Sequence, residues 1–347
     1  MLHASPEPLV ARYDLAMLDL DGVVYIGDHA VDGAARALDE VRDAGMRLAF
    51  ITNNAARTPQ TVASHLTYLG IDAAPGDVVT SAQAAARVAA DRLPEAAAVV
   101  CLGGDGLRSA LAAVGLRPVG PGDDASAVLT GYGPDVLWRD IMQVAVRIRN
   151  GLPWIASNTD HTIPTAAGTA PGHGVLVRML SDFTGVLPTV AGKPERPLLD
   201  ETIRRMGSER PLMVGDRLDT DIEGADRAGT DSLLVLTGVT GLAELVAAKP
   251  AQRPTYLASG LAGLTRAHAA PERADRGWRV GGWSARVDDG RLVVAGEAAG
   301  GGSDDADDAW RAVAAAAWEH LDASGAVADI SDLALPSALP SPGRAGR

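Results

Sequence analysis

Four short stretches of this chain place acidic, basic, hydroxyl or amide side chains at the end of an apolar run. They are Asp19-Leu20-Asp21-Gly22, Thr52-Asn53-Asn54, Gly192-Lys193-Pro194, and Gly215-Asp216 followed by Asp221. The residue types complement one another. Asp19, Asp21, Asp216 and Asp221 are hard oxygen donors suited to a divalent cation, Lys193 brings a fixed positive charge, and Thr52 and Asn53 bring hydrogen-bond donors. Phosphoryl transfer calls for this inventory, because the protein mainly positions groups and offsets charge on the transferring oxygens. A carboxylate can attack a phosphate dianion once a cation offsets their repulsion, and a second carboxylate two residues on can carry the proton.

Residues so far apart in sequence must be gathered by the fold. Leu15-Ala16-Met17-Leu18 reads as a buried strand that delivers Asp19 and Asp21 to its carboxyl end, where open α/β sheets place their ligands. Residues 32–45 carry Ala35, Leu38, Val41 and Ala44 at helical spacing and reach Gly45, so a helix follows. A strand at Met46–Asn54, a helix closed by Gly70 and a strand near Val78–Thr80 continue the alternation of a doubly wound parallel sheet. Residues 82–188 repeat it as a second α/β unit, and 189–268 resume the first. The expected organisation is therefore a core at 1–81 and 189–268 with an insertion at 82–188.

Past residue 268 the composition changes. Residues 277–297 alternate as a hairpin about Asp289-Gly290, the glycine-rich stretch 299–305 reads as flexible, and an alanine-rich helix with an acidic start follows. A small α+β module at 275–335 and a disordered tail at 336–347 are expected. The module has the look of part of an acetyltransferase fold but lacks the glycine loop that would cradle acetyl-CoA pyrophosphate. Trp278, Trp283, Trp310 and Trp318 are therefore read as packing residues.

Composition bounds the function. With 47% apolar residues in 347 there is material for more than one core, and a net charge of −13 without a dense Lys/Arg run excludes duplex nucleic acid or an anionic membrane as the main partner. Cys101 is the single cysteine, so no intramolecular disulfide or cysteine metal cluster can form. The N-terminus lacks the pattern of a signal peptide and no eighteen apolar residues run unbroken, which points to a cytoplasmic protein. Residues 101–111 are glycine-rich between a strand and a helix. They lack the Lys-Ser/Thr of a phosphate loop and are read as a structural turn.

The ordered set Asp-x-Asp-Gly, Thr-Asn-Asn, Gly-Lys-Pro and Gly-Asp-x-x-x-x-Asp resembles the haloacid dehalogenase-like phosphatases over residues 12–265. "DLDGVVY", "ITNNAART" and "GDRLDTDIEGA" are similar to the branch that contains the para-nitrophenyl, phosphoglycolate, pyridoxal phosphate and glycerol 3-phosphate phosphatases. The resemblance implies Mg²⁺ as cofactor, Asp19 as the nucleophile that forms an aspartyl-phosphate, and Asp21 as general acid/base and a metal ligand through its backbone carbonyl. Thr52, Asn53 and Lys193 would bind the phosphoryl group, and Asn54, at the same phosphate site, would help hold Asp21. Asp216 would ligate the metal and Asp221 would stand behind it, next to the metal's waters.

The insertion then resembles the type 2 cap of this branch. The polar, glycine-rich stretch 157–174 takes the place of its substrate-specificity loop, with Asp160 and His161 meeting the leaving group. No cationic cluster for a second phosphate is evident there. A small polyol or hydroxy-acid phosphate is expected, with glycerol 3-phosphate favoured by the resemblance and phosphoglycolate, pyridoxal phosphate or a nucleoside monophosphate as alternatives. A Mg²⁺-binding regulatory protein without turnover is the alternative of a different class, and a homodimer is compatible with the sequence.

Overall fold

A computed structural model describes residues 1–165, 168–296, 303–333 and 335. The tail expected at 336–347, and residues 299–302 of the stretch read as flexible, lie outside the described residues. The chain forms two compact units, Met1–Arg47 with the chain from Arg210 onward, and Leu48–Glu209.

In the first unit, parallel strands lie in the order Tyr256–Ala258, Asp231–Val235, Pro211–Gly215, Leu15–Leu18. Leu15–Leu18 is buried at every position, as a strand covered on both faces must be, and its register with Pro211–Val214 puts Asp19 and Asp216 just past neighbouring strand ends. The amide of Asp19 donates to the carbonyl of Val214 (2.9 Å), so Asp19 is still tied to the adjacent strand. The helix Ala34–Asp43 buries Ala34, Ala37, Leu38 and Val41. The expected stripe is therefore rotated by one residue at its ends: Ala35 is only half-buried and Ala44 is exposed. Gly45, at φ +90°, lets the chain leave the helix, and the Met46 amide bonds back to the Val41 carbonyl (3.2 Å).

In the second unit Phe50–Thr52 pairs in parallel with Val78–Thr80, and a separate five-stranded parallel sheet follows. That sheet runs Thr189–Val190, Trp154–Ala156, Ala127–Thr130, Ala98–Leu102, Arg117–Val119. It closes on Val100, Val128, Val144, Ile148, Trp154 and Leu180, with the Trp154 indole N–H bonded to Thr130 Oγ1 (3.0 Å). Thr80 and Gln83 cap the helix Ser81–Ala90 reciprocally, which starts that helix directly at a strand end. The chain thus has a Rossmann-like α/β core, an inserted α/β cap and an appended α+β part.

The stretch 157–174, expected as a loop, contains a hairpin. Thr162–Thr165 pairs antiparallel with Gly168–Pro171. β-branched Thr162, Ile163 and Thr165 favour the strand, and polar flanks obscure the alternation.

At the C-terminal end, strands Glu272–Ala274, Gly277–Val280, Trp283–Asp288 and Arg291–Gly296 form an antiparallel meander. Asp289 and Gly290 turn it at φ +48° and +80°, the left-handed pair a two-residue hairpin demands. The helix Ser303–Ser324 follows. Among the described residues no helix is long and apolar enough to cross a membrane.

Candidate active site

The first unit gathers carboxylates. Asp19, Asp216 and Asp221 each offer an oxygen, and these oxygens lie within 4.8 Å of one another; Asp216 and Asp221 are fully buried and Asp19 is half-buried. Local sequence explains the convergence. Gly22, at φ +87°, turns the chain away after Asp21, and a Cβ there would collide with Asp216 Oδ2. Asp221 sits in a wide π-type turn, Leu218–Ile222, and its Oδ2 accepts the amides of Asp216 (3.2 Å) and Arg217 (3.1 Å). Three clustered carboxylate oxygens are the donor chemistry of a hard divalent cation, and two buried carboxylates this close repel unless a cation stands between them. The residues present fit Mg²⁺.

One supporting segment escaped sequence reasoning. After the strand Asp231–Val235, Thr237 Oγ1 donates to the Gly22 carbonyl (2.5 Å) and the Val239 amide donates to Asp216 Oδ2 (2.7 Å). Gly238 lies so close that a Cβ would stand 2.8 Å from Gly22 Cα and 2.6 Å from Asp216 Cγ. The signal available was a Thr-Gly pair just past a buried strand, a pattern too ordinary to single out. Asp21, just before the turn at Gly22, is exposed and bridged to Tyr25 through backbone pairing.

The second unit gathers a polar cradle around Lys193. Its side chain is 2% exposed, although a lysine seldom lies buried without a task or a partner. Asn53 grips its backbone at both ends: Asn53 Oδ1 accepts the Lys193 amide (2.9 Å), and Asn53 Nδ2 donates to the Lys193 carbonyl (3.0 Å) and to Asp160 Oδ1 (3.0 Å). The Asn53 carbonyl accepts Ser81 Oγ (2.5 Å) and Asn158 Nδ2 (2.7 Å). Thr52 Oγ1 accepts the Asn54 amide (3.1 Å), and Asn54 Oδ1 accepts the Ala56 amide (2.9 Å), so the Thr-Asn-Asn loop is self-bonded. Gly192 is obligatory here, since a Cβ would come within 2.6 Å of Asn53 Oδ1 and 2.7 Å of the Ser157 carbonyl.

Asp160 thus touches the cradle, while the neighbouring His161 side chain is exposed. Sequence reasoning missed Asn158 and His173. His173 is buried, its Nδ1–H donates to the Asn158 carbonyl (2.8 Å), and burial pushes its pKa down to about 4, so the ring is neutral. A lone histidine beside glycines gave no sign of this in the sequence.

The chain is similar to known proteins over most of its length. A haloacid dehalogenase-like hydrolase family model matches residues 16–117, and a HAD-hydrolase-like model matches 190–264. D-glycerol 3-phosphate phosphatase of Mycobacterium tuberculosis is 42% identical over 318 residues, 90% of this chain and 87% of that protein. Acid sugar phosphatase of Staphylococcus haemolyticus is 36% identical over 247 residues, 71% of this chain and 92% of that one. The crystal structure of the M. tuberculosis glycerol phosphate phosphatase in complex with magnesium superposes with a TM-score of 0.81 at 40% identity, covering 90% of this chain and 92% of that one.

Fold and site define a phosphoric monoester hydrolase built on a capped α/β core. The chain belongs to the haloacid dehalogenase-like hydrolases.

Proposed function

We propose that this protein is a Mg²⁺-dependent phosphatase that hydrolyses glycerol 3-phosphate to glycerol and phosphate through an aspartyl-phosphate. The observation that carries the chemistry is the cluster of Asp19, Asp216 and Asp221 oxygens within 4.8 Å of one another at adjoining strand ends. Support for the substrate comes from the 42%-identical D-glycerol 3-phosphate phosphatase, together with the cap stretch 157–174 around Asp160 and His161, whose sequence contains no lysine or arginine to bind a second phosphate.

Asp19, the Asp21 backbone carbonyl and Asp216 would hold Mg²⁺, which when bound offsets the repulsion between a carboxylate and a phosphate dianion. Asp19 attacks phosphorus, and the ester bond breaks as Asp21 gives its proton to the departing glycerol oxygen. Asp21 then takes a proton from water, whose oxygen attacks the aspartyl-phosphate and releases phosphate with Asp19 restored. Lys193, with Thr52 and Asn53, is assigned to balance and orient the transferring group, and its burial makes its charge count for more than it would in water. Asn54 steadies the loop, and Asp221 holds the backbone beside Asp216.

Asp19→Asn tests the reaction. Activity should fall at least about a thousandfold, and beryllium fluoride should label Asp19 and no other carboxylate. Survival above that level removes Asp19 as nucleophile. A panel of phosphomonoesters that includes phosphoglycolate, pyridoxal phosphate, nucleoside monophosphates and sugar phosphates tests the substrate. No hydrolysis of any of them with Mg²⁺ would point instead to a metal-binding regulator.

A further inference from the structure

The helix Ser303–Ser324 is an unusual part of the appended module. Residues 311–318 are buried without interruption, whereas a helix lying on a single sheet would leave one face wet. Its small side chains have two destinations. Ala312, Val313, Ala316 and Ala317 pack with Val280, Ala285 and Leu292 of the antiparallel sheet. Ala314 and Trp318, one turn apart, with Trp310 a further turn back, pack instead with Leu218, Ile222, Leu234 and Leu245. Leu218 and Ile222 bound the turn that carries Asp221.

Directional bonds fix this second face. The Trp318 indole N–H donates to the Leu245 carbonyl (2.7 Å), and Arg253 forks onto Asp322 at 2.6 and 2.7 Å while its guanidinium stands 5.4 Å over the Trp318 ring. Buried Asp307 accepts the Ser259 amide (2.7 Å), and buried Arg311 donates to the Leu257 carbonyl (3.0 Å). The helix is therefore bonded to the strand Tyr256–Ala258 and to Ser259 just past it, and to Leu245 and Arg253; Pro250–Gln252, just before Arg253, packs against the Asp221 turn.

We propose that this helix is a brace for the metal-binding carboxylates, with Trp318 as positioning residue. Through the apolar cluster that Ala314 and Trp318 share with Leu218 and Ile222 it fixes the turn, and the turn fixes Asp221, whose Oδ2 holds the amides of Asp216 and Arg217. Gly215 leaves no slack on the other side, because a Cβ there would overlap Asp221. Any slip of the turn is passed to the Asp216 backbone rather than absorbed. The brace rests on the reading of Asp19, Asp216 and Asp221 as a cation site.

The test is Mg²⁺ titration of the full chain by calorimetry without substrate, comparing wild type, Trp318→Ala, Trp318→Phe and Asp216→Asn. Trp318→Ala should weaken Mg²⁺ binding about tenfold or more, the scale of losing a supporting partner of a metal ligand, and Trp318→Phe should weaken it less. A folded Trp318→Ala with unchanged Mg²⁺ affinity, whatever its melting temperature, overturns the brace. Native-state hydrogen exchange on the wild type depends neither on a variant folding nor on metal binding. Amides of 218–228 and 303–324 should open as one unit, and protection of 218–228 while the helix exchanges overturns the proposal. Failure of Asp216→Asn to alter Mg²⁺ binding, or absence of binding in the wild type, refutes the metal reading itself and leaves the brace to the exchange result.

Discussion

Asn53 and Lys193 are 140 residues apart, and the amide side chain of the first takes up both the backbone N–H and the backbone C=O of the second, at 2.9 and 3.0 Å. A side-chain amide that copies a strand's pairing fixes a backbone without needing a neighbouring strand. Asn53→Ala should leave both Lys193 groups unsatisfied in a buried place. Each orphan costs about 1–3 kcal/mol, and displacement of the lysine should lower kcat/KM about 100-fold. Asn53→Asp keeps the acceptor for the Lys193 amide but loses the donor to Asp160, so it should be impaired as well. Steady-state kinetics beside thermal melts check both variants.

Gly238 should be intolerant of even one methyl group. A Cβ would press on Asp216 Cγ at 2.6 Å and Gly22 Cα at 2.8 Å, so Gly238→Ala must move the carboxylate or the turn beneath it. Overpacking of this kind costs about 1–3 kcal/mol. Expressed at the metal site, that is an apparent Mg²⁺ affinity weakened about tenfold or more. Activity measured against Mg²⁺ concentration should recover at high Mg²⁺. A curve that superposes on wild type would show that the segment 237–240 does not support Asp216.

Asp160 and His161 should part company on substitution. Asp160 accepts a hydrogen bond from the residue that grips Lys193, whereas the His161 side chain is exposed. Asp160→Ala should therefore lower turnover of every substrate, a generic aryl phosphate included, while His161→Ala should reorder substrates and spare the aryl phosphate. Equal losses across the panel for both variants would assign neither to specificity.

His173 makes stability depend on acid. Burial lowers its pKa from 6.5 to about 4, so the unfolded chain binds this proton more readily than the folded one. The contribution is complete above pH 6.5 and is lost as pH falls towards 4, up to about 3 kcal/mol at 1.36 kcal/mol per pKa unit. His173→Gln should flatten the fall in melting temperature over that interval, measured by calorimetry across the pH range. An unaltered slope would assign the acid sensitivity to other groups.

The core was legible because a parallel strand buried on both faces must be apolar along its length, and Leu15–Leu18 and Pro211–Gly215 announce themselves in that way. The hairpin at Thr162–Pro171 was not, since two four-residue strands flanked by polar residues carry no usable period. The helix Ser303–Ser324 was visible as a helix, but its two packing faces were not. Alanine serves either neighbour equally well, and only contacts tell which one it meets.

The chemistry is written along the chain: four polar clusters at the ends of apolar runs, in an order that matches one family, specify carboxylates, a lysine and amide donors whatever their exact positions. Tertiary structure decided how they are held. Asn53, expected as a phosphate donor, emerged as the clamp of Lys193; Gly238 and Val239 emerged against Asp216, and Trp318 emerged in the apolar cluster that includes the ends of the Asp221 turn. The reason is physical. Chemical type belongs to a residue and can be read along the chain, while a clamp or a brace is a relation between residues tens or hundreds of positions apart, which exists only once the chain has closed on itself.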